Sequence, residues 1–503
     1  VIDRRSFLVM GLMAGVPGVP PLSAHYGEPF TLGIACGDPT PDGFVLWTRL
    51  APTPLAEDGF GGMPPAPVPV CWEVATDPAC AHVVRRGTEQ AVREWAHSVH
   101  AEVEGLEPGR EYWYRFKAGP YISPIGRALT APAHGAPVTS LTLAVTSCAN
   151  YQHGHFTAYT RAAEEHPDMI VHLGDYIYEH GKGEHPCPGG NVREHDGPEA
   201  QTLAGYRRRH AQYKTDPDLR AAHAAAPWVP IMDDHEVRNN WTAKLPAARR
   251  EAAFRAYYEH MPLRRASVPH GASIHLYRRL HWGSLATLHL LDTRQYRDPA
   301  VCGSGFRECP KSEKETGRSI TGAEQERWLL AGFRESRARW DIVGQQVYFG
   351  QRVKHPGEEK IVRQDAWDGY SGSRTRVTRG WLDAGVRNAV VLTGDVHSHW
   401  AGDLAVDYDD EDSPLVGTEF AVTSISSGGD GHDHDKARDR LLDTNPHLHF
   451  HLRRRGYLML RVEPAAVTAD FKILRYVRTP GAPALTAAGF TVADQMPGLV
   501  RQA

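Results

Sequence analysis

Four short apolar runs in this chain each stop at a cluster of residues able to bind metal, and that pattern constrains the fold most tightly. Residues 141–147 lead into Cys148-Ala149-Asn150, and 169–173 into Gly174-Asp175-Tyr176-Ile177-Tyr178-Glu179. Residues 228–232 lead into Asp233-Asp234-His235-Glu236-Val237-Arg238-Asn239-Asn240, and 390–393 into Gly394-Asp395-Val396-His397-Ser398-His399-Trp400. Apolar runs of this length, bounded by turn residues, read as buried strands. A helical stretch over 156–166 separates the first two and makes a β-α-β unit. Further strands are expected at 285–291, 341–347 and 420–425, with a closing hairpin at 457–462 and 467–473. Open α/β sheets collect their ligand sites beyond the C-terminal ends of the strands. One such end is weak evidence; four in one chain predict a shared site.

The residue types suit phosphate-ester hydrolysis. That reaction needs neutralised nonbridging oxygens, a hydroxide at neutral pH and a stabilised leaving oxygen, all of which adjacent metal ions supply. Asp175 has two carboxylate oxygens and can serve two cations, while Gly174 removes side-chain bulk beside it. Asp395 and His397 lie two apart, so an extended backbone would put them on one face. Cys148 and Tyr178 are electron-rich anions once deprotonated. With Asp175 and His397 they favour a highly charged, redox-active ion, and Fe³⁺ is the expectation. Asp175, Asp234, Asn240 and Asp395 form an oxygen-rich set that suits Ca²⁺, with Asn239 as the alternative amide. His235 can hydrogen-bond the phosphoryl group or protonate the leaving group. Other residues read as structural. The 207–209 arginine run and Lys214 read as a solvated face, 428–435 as a solvated loop, and Cys187 with Glu184 and His185 as a loop. His399 is divided between a supporting role and the surface.

Upstream, residues 27–132 alternate short strands with Gly/Pro turns, the pattern of a small fibronectin-like β-sandwich. Tyr112, in Leu106-Glu107-Pro108-Gly109-Arg110-Glu111-Tyr112, reads as a tyrosine corner. A linker follows at 131–137, then a catalytic region at 138–480 and a tail at 481–503. The 503 residues, 41% hydrophobic and 23% charged, fit a globular protein of more than one domain. A net charge of −4 gives no basic face for nonspecific nucleic-acid binding. Asp3-Arg4-Arg5-Ser6-Phe7-Leu8, the apolar run 9–19 and Leu22-Ser23-Ala24 read as a twin-arginine signal over 1–24. The expected route is the twin-arginine export machinery, to a secreted, periplasmic or cell-wall location. Seven cysteines leave at least one without an internal partner. Cys71/Cys80 and Cys302/Cys309 could close short disulfide loops, and Cys148 is read as the metal-binding one.

Taken in order, these segments closely resemble the PhoD-type alkaline phosphatase/phosphodiesterase family over nearly the whole chain. The likeness begins at Gly37-Asp38-Pro39 and Leu46-Trp47-Thr48-Arg49. It continues through 147–150, 174–179, the Tyr206 to Pro217 stretch and 233–241, then through Leu291-Asp292-Thr293-Arg294 and 394–400. The resemblance implies an α/β metallophosphatase-like αββα core behind the β-sandwich, acting on phosphate monoesters and diesters. It implies one Fe³⁺ at Cys148, Asp175, Tyr178 and His397, and one or two Ca²⁺ at Asp175, Asp234, Asn240 and Asp395. It also places His210 and His235 next to substrate. Certain secreted bacterial phospholipases D are similar too, so phospholipid hydrolysis is the nearest alternative. A noncatalytic surface protein that binds a partner through its sandwich is the third. Selectivity is expected from the insertions at 181–205, 298–320 and 352–378.

Overall fold

The computed structural model describes residues 27–311, 315–354, 360–410, 412–433 and 436–502. The 1–24 signal segment lies outside them. Two large sheets stack face to face with helices outside each, the αββα arrangement expected. The first sheet has ten strands. At its centre Leu141–Thr146, Met169–His172 and Trp228–Pro230 run parallel. The hairpin Arg455–Val462 and Ala466–Leu474 extends one side of it. The second sheet has seven strands, with Ala286–Leu290, Trp340–Gln345, Ala389–Thr393 and Leu415–Ala421 parallel in its middle.

Period-two alternation divides each central strand between two cores. Leu143, Val145, Val171 and Ile231 meet Leu288, Leu290, Ile342, Leu392 and Phe420 between the sheets. Ala144, Ile170 and Trp228 face outward under helices Thr157–Glu164, Leu203–Lys214, Pro217–Ala225 and Ala247–His260. Helices Gly322–Glu335 and Ser371–Ala384 cover the far face of the second sheet, packing Leu329, Phe333, Val377 and Trp381 on Val343 and Val391. The helix ends follow local rules. Asp216 accepts from the amides of Asp218 and Leu219 with Pro217 in the first turn. Gly385, at φ 64°, ends Ser371–Ala384 in the left-handed conformation.

The N-terminal region is a sandwich, but one of its sheets is not its own. Ile34–Thr40, Gly43–Arg49 and Ser98–Val103 continue the ten-stranded sheet, Ile34–Thr40 pairing parallel with Trp228–Pro230. The other sheet has five strands, including Val68–Ala75 and Glu111–Ala118. Phe44, Leu46 and Ala101 pack on Val70, Val74, Tyr114 and Phe116 between them. Tyr112 is the expected corner: its hydroxyl accepts from the Glu107 amide at 3.0 Å.

Three expectations are corrected. Residues 481–503 are not a tail; Ala484–Ala493 and Met496–Arg501 add two antiparallel strands to the first sheet. Cys302 and Cys309 form a disulfide, whereas Cys71 and Cys80 are free thiols. Cys71 sits inside Val68–Ala75, and four residues of strand carry the chain about 13 Å before the turn to Cys80. A disulfide needs Cα atoms within about 7 Å. Arg207, Arg209 and Lys214 are buried rather than solvated, while Arg208 stays half-buried against Asp196. Arg207 holds the fully buried Glu259 through two contacts of 2.6 and 2.5 Å. Arg209 donates to the Tyr178 carbonyl at 2.6 Å. Lys214 lies 4.2 Å over the Trp47 ring. Removing one partner of a buried pair strands the other charge. Glu259→Gln is therefore expected to cost about 3–5 kcal/mol, read as a lowered urea midpoint with an unchanged slope.

Candidate metal centre

Six parallel strand ends, three from each sheet, converge on one site. Gln346 clasps the two sheets there: its side-chain amide donates to the Met232 and Leu291 carbonyls at 2.7 and 2.8 Å. On one side the ligand-capable atoms of Cys148, Asp175 and His397 lie within 4.8 Å of one another. The Tyr178 hydroxyl donates to Asp175 Oδ2 at 3.0 Å and sits 3.0 Å from His397 Nε2. Ser427 Oγ donates to the Tyr178 oxygen at 2.7 Å. Ser147 Oγ is 2.7 Å from the Cys148 sulfur.

On the other side, Asp175, Asp234 and His235 form a second such group within 4.8 Å. Asp234 Oδ2 accepts from the Asn240 amide at 2.6 Å. Asn240 is half-buried, while Asn239 is exposed and donates its backbone N–H to Glu179 Oε1 at 2.7 Å. Asp395 joins through Arg294, whose guanidinium bonds Asp233, reaches Asp395 at 3.1 Å and lies 3.7 Å from Asp234.

The backbone is strained where these residues sit. Cys148, Asp175, Asn240, Asp395 and His397 all have φ between 51° and 58°. Non-glycine residues rarely adopt this left-handed region, and clusters of such residues mark functional sites. Residues 394–398 are therefore a turn rather than the extended segment expected, yet both side chains still reach the site. Gly174, at φ 96°, cannot be replaced cheaply: a Cβ there would lie 2.4 Å from the Asp233 Cβ.

Electrostatics follow from burial. Burial first, then the Asp175 carboxylate, pushes the Cys148 thiol and the Tyr178 phenol well above their ordinary pKa. Without a cation both would be neutral beside an acid, and their convergence would have no electrostatic partner. Burial would raise Asp234, but Arg294 and then His235 hold it below the carboxylate range. Burial would also lower His235; Glu179, 2.7 Å from its Nδ1, then Asp175 and Asp234 hold it well above 6.5. A sulfur, a phenol, a carboxylate and an imidazole on one side and carboxylates with an amide on the other thus fit a hard, highly charged ion beside oxygen-loving ones.

One expected histidine is elsewhere. His210 is completely buried, stacked 4.9 Å from His260 and 6.2 Å from Tyr176, with neither ring nitrogen hydrogen-bonded. The apolar side of its helix packs it into the core rather than beside substrate. His399 is also buried: it accepts from the Thr423 amide and contacts the Lys472 carbonyl at 3.2 Å, pinning strands together. Asp430, in the loop read as solvated, accepts from the Val477 and Arg478 amides and is structural.

Arg294, Glu179 and Ser427 had no role in the sequence reading. Arg294 follows a strand, as the other site residues do, which is the signal that could have found it. Ser427 lies two residues past the strand expected at 420–425, but serine is too common in turns for that position to single it out. Of the insertions, 298–320 and 352–378 meet: Phe306–Glu308 pairs with Ile361–Arg363, bringing Arg363 to 3.9 Å from Asp395.

Comparison with known proteins accounts for this arrangement. Residues 143–471 match the PhoD-like phosphatase family, and residues 20–132 match the N-terminal domain of PhoD-like phosphatases. The chain is 44% identical to alkaline phosphatase D of Bacillus subtilis over 522 residues, covering 99% of this chain and 88% of that one. It superposes on a solved structure of PhoD with a TM-score of 0.93 at 46% identity, covering 96% of this chain and 94% of that one. Site, sheets and sandwich fall within these matches, and the chain belongs to the PhoD-like phosphatase family.

Proposed function

We propose that this protein hydrolyses phosphate monoesters and diesters as a metal-dependent enzyme of the alkaline phosphatase D type. The observation that carries the reading is the meeting of four residues from three separate strand ends: Cys148, Asp175 and His397 place ligand atoms within 4.8 Å of one another, and the Tyr178 hydroxyl lies 3.0 Å from both Asp175 and His397. In this reading those four hold Fe³⁺, and Asp175, Asp234, Asn240 and Asp395 hold one or two Ca²⁺. Bound there, the ions supply charge neutralisation, a nucleophile at neutral pH and stabilisation of the leaving oxygen. The chain's own residues do the rest. Glu179 fixes the His235 ring through Nδ1 and leaves Nε2 to donate to a phosphoryl or leaving-group oxygen. Stacking on Tyr178, with ring centroids 4.1 Å apart, holds that ring over the donor set. Arg294 aims Asp395 and Asp234 and offsets their mutual repulsion. His210, sealed in the core, has no part.

The phospholipase D alternative is not favoured, since the curated relative matched over 99% of the chain is an alkaline phosphatase. Among the described residues no helix is long and apolar enough to cross a membrane. Export by the twin-arginine route belongs to this proposal on the strength of Asp3 to Leu8.

Metal content tests the reading. Protein purified without chelators is expected to contain iron and calcium and to show a visible band from charge transfer between tyrosinate and iron. Tyr178→Phe should abolish that band while the protein stays folded. A colourless, metal-free, well-folded wild-type protein would overturn the proposal.

A further inference from the structure

Glu179, His180 and His235 form a third cluster that the scheme above does not use as metal ligands. Their ligand atoms, one carboxylate oxygen and two imidazole nitrogens, lie within 4.8 Å of one another. Glu179 stands between the rings, with Oε2 2.7 Å from His235 Nδ1 and Oε1 3.9 Å from His180 Nδ1. The rings are 5.2 Å apart and nearly perpendicular, so they approach the carboxylate from different directions. Solvent reaches the cluster, since the His180 and His235 side chains are 12% and 11% exposed. Two imidazoles and one carboxylate are a donor set characteristic of Zn²⁺, with a fourth position left for water. The set is nitrogen-rich, unlike the oxygen-rich calcium subsite, and it selects a different class of ion.

We propose that Glu179, His180 and His235 bind a Zn²⁺-class transition ion that inhibits the enzyme, an inference that rests on the function proposed for His235. The ion takes the place of the Nδ1 proton of His235, which leaves to solvent, and breaks the hydrogen bond to Glu179. The Nε2 proton then sits on a neutral, metal-bound imidazole, which would have to become imidazolate to release it, so the ring can no longer protonate the leaving group. The resident metals need not move, because none of Cys148, Asp175, Tyr178 or His397 takes part.

His180 makes the proposal testable. Its backbone carbonyl accepts from Arg209 and lies 2.8 Å from His195 Nδ1. Changing only the side chain therefore spares the contacts that fix the loop. Protein carrying its resident metals is titrated with ZnCl₂ alone by calorimetry, with hydrolysis of p-nitrophenyl phosphate followed in parallel. Wild-type protein is expected to bind one additional Zn²⁺ and lose activity at the same concentration. His180→Gln should keep its starting activity and need about tenfold more Zn²⁺ or more for both effects. Equal zinc affinity in the two proteins overturns the proposal, as does elemental analysis showing that zinc enters by displacing iron or calcium. If His180→Gln fails to fold by circular dichroism, His180→Asn gives the same comparison. Calorimetry reads the site even in a protein with no phosphatase activity, so failure of this inference and failure of the functional reading give different results.

Discussion

Asp175→Asn is expected to lower kcat for phosphate-ester hydrolysis by ~10³-fold or more, with little change in folding. The carboxylate is 2% exposed and spends both oxygens on the site: Oδ2 accepts from Tyr178, and Oδ1 lies 3.4 Å from the His235 amide. It is the residue shared by both proposed cation subsites, so losing its charge weakens both at once. Asparagine keeps the shape and one of the two acceptor oxygens. It is also among the few side chains that tolerate the φ of 55° found there. Structure and charge are thereby separated. The checks are kcat, iron and calcium content, and the thermal midpoint. A folded variant with full activity and full metal content would remove Asp175 from the mechanism.

Acid should destabilise the fold well before carboxylates alone would. His97, His172, His210, His223 and His260 are all buried. Burial pushes His97 down to about 4 and His172 to about 3. It holds the other three well below 6.5, helped by the Lys214 charge near His210 and His223 and by Arg49 near His260. A depressed histidine stays neutral in the folded state while the unfolded chain takes up a proton below about pH 6.5. Stability is thus present above pH 6.5 and is lost as pH falls toward 4. At pH 5, His97 and His172 alone remove about 4 kcal/mol in total. Glu236, raised to about 8 mainly by burial, and Asp233 and His235, both held well above their ordinary values, titrate in the opposite sense and offset part of this. Burial also lowers His100, His153, His195 and His399, so the depressed histidines outnumber these groups and leave a net loss. Urea midpoints at pH 7.5 and 5.0 test the sign, and His172→Asn should flatten the pH dependence by about one proton. A midpoint that is flat or rises toward pH 5 would contradict it.

The strand ends were legible because two local signals coincide there. Apolar runs mark the central strands, and polar donors directly after them mark the sheet edge where ligands gather. Cys148, Asp175, Tyr178, Asp234 and His397 were each readable from a single segment for that reason. His210 shows the limit. Its motif context resembles a substrate-facing position, but which face of a helix is buried depends on Tyr176, Tyr257 and His260, far away in sequence. Arginine burial failed in the same way: only Glu259, 52 positions on, explains why Arg207 can sit inside. The C-terminal strands escaped because 484–493 is rich in alanine and glycine, which carry little strand signal until the sheet edge they pair with is known.

That ten strands from both ends of the chain share one ladder also bears on how substrate can enter. Hydrogen-bonded neighbours transmit load directly, and Ile34–Thr40 lies immediately beside Trp228–Pro230. The sandwich cannot swing on the 131–137 linker without tearing that seam. Admission to the metals must then come from the surface segments that rim them, so exchange of product would be governed by small local fluctuations rather than by any hinge between lobes.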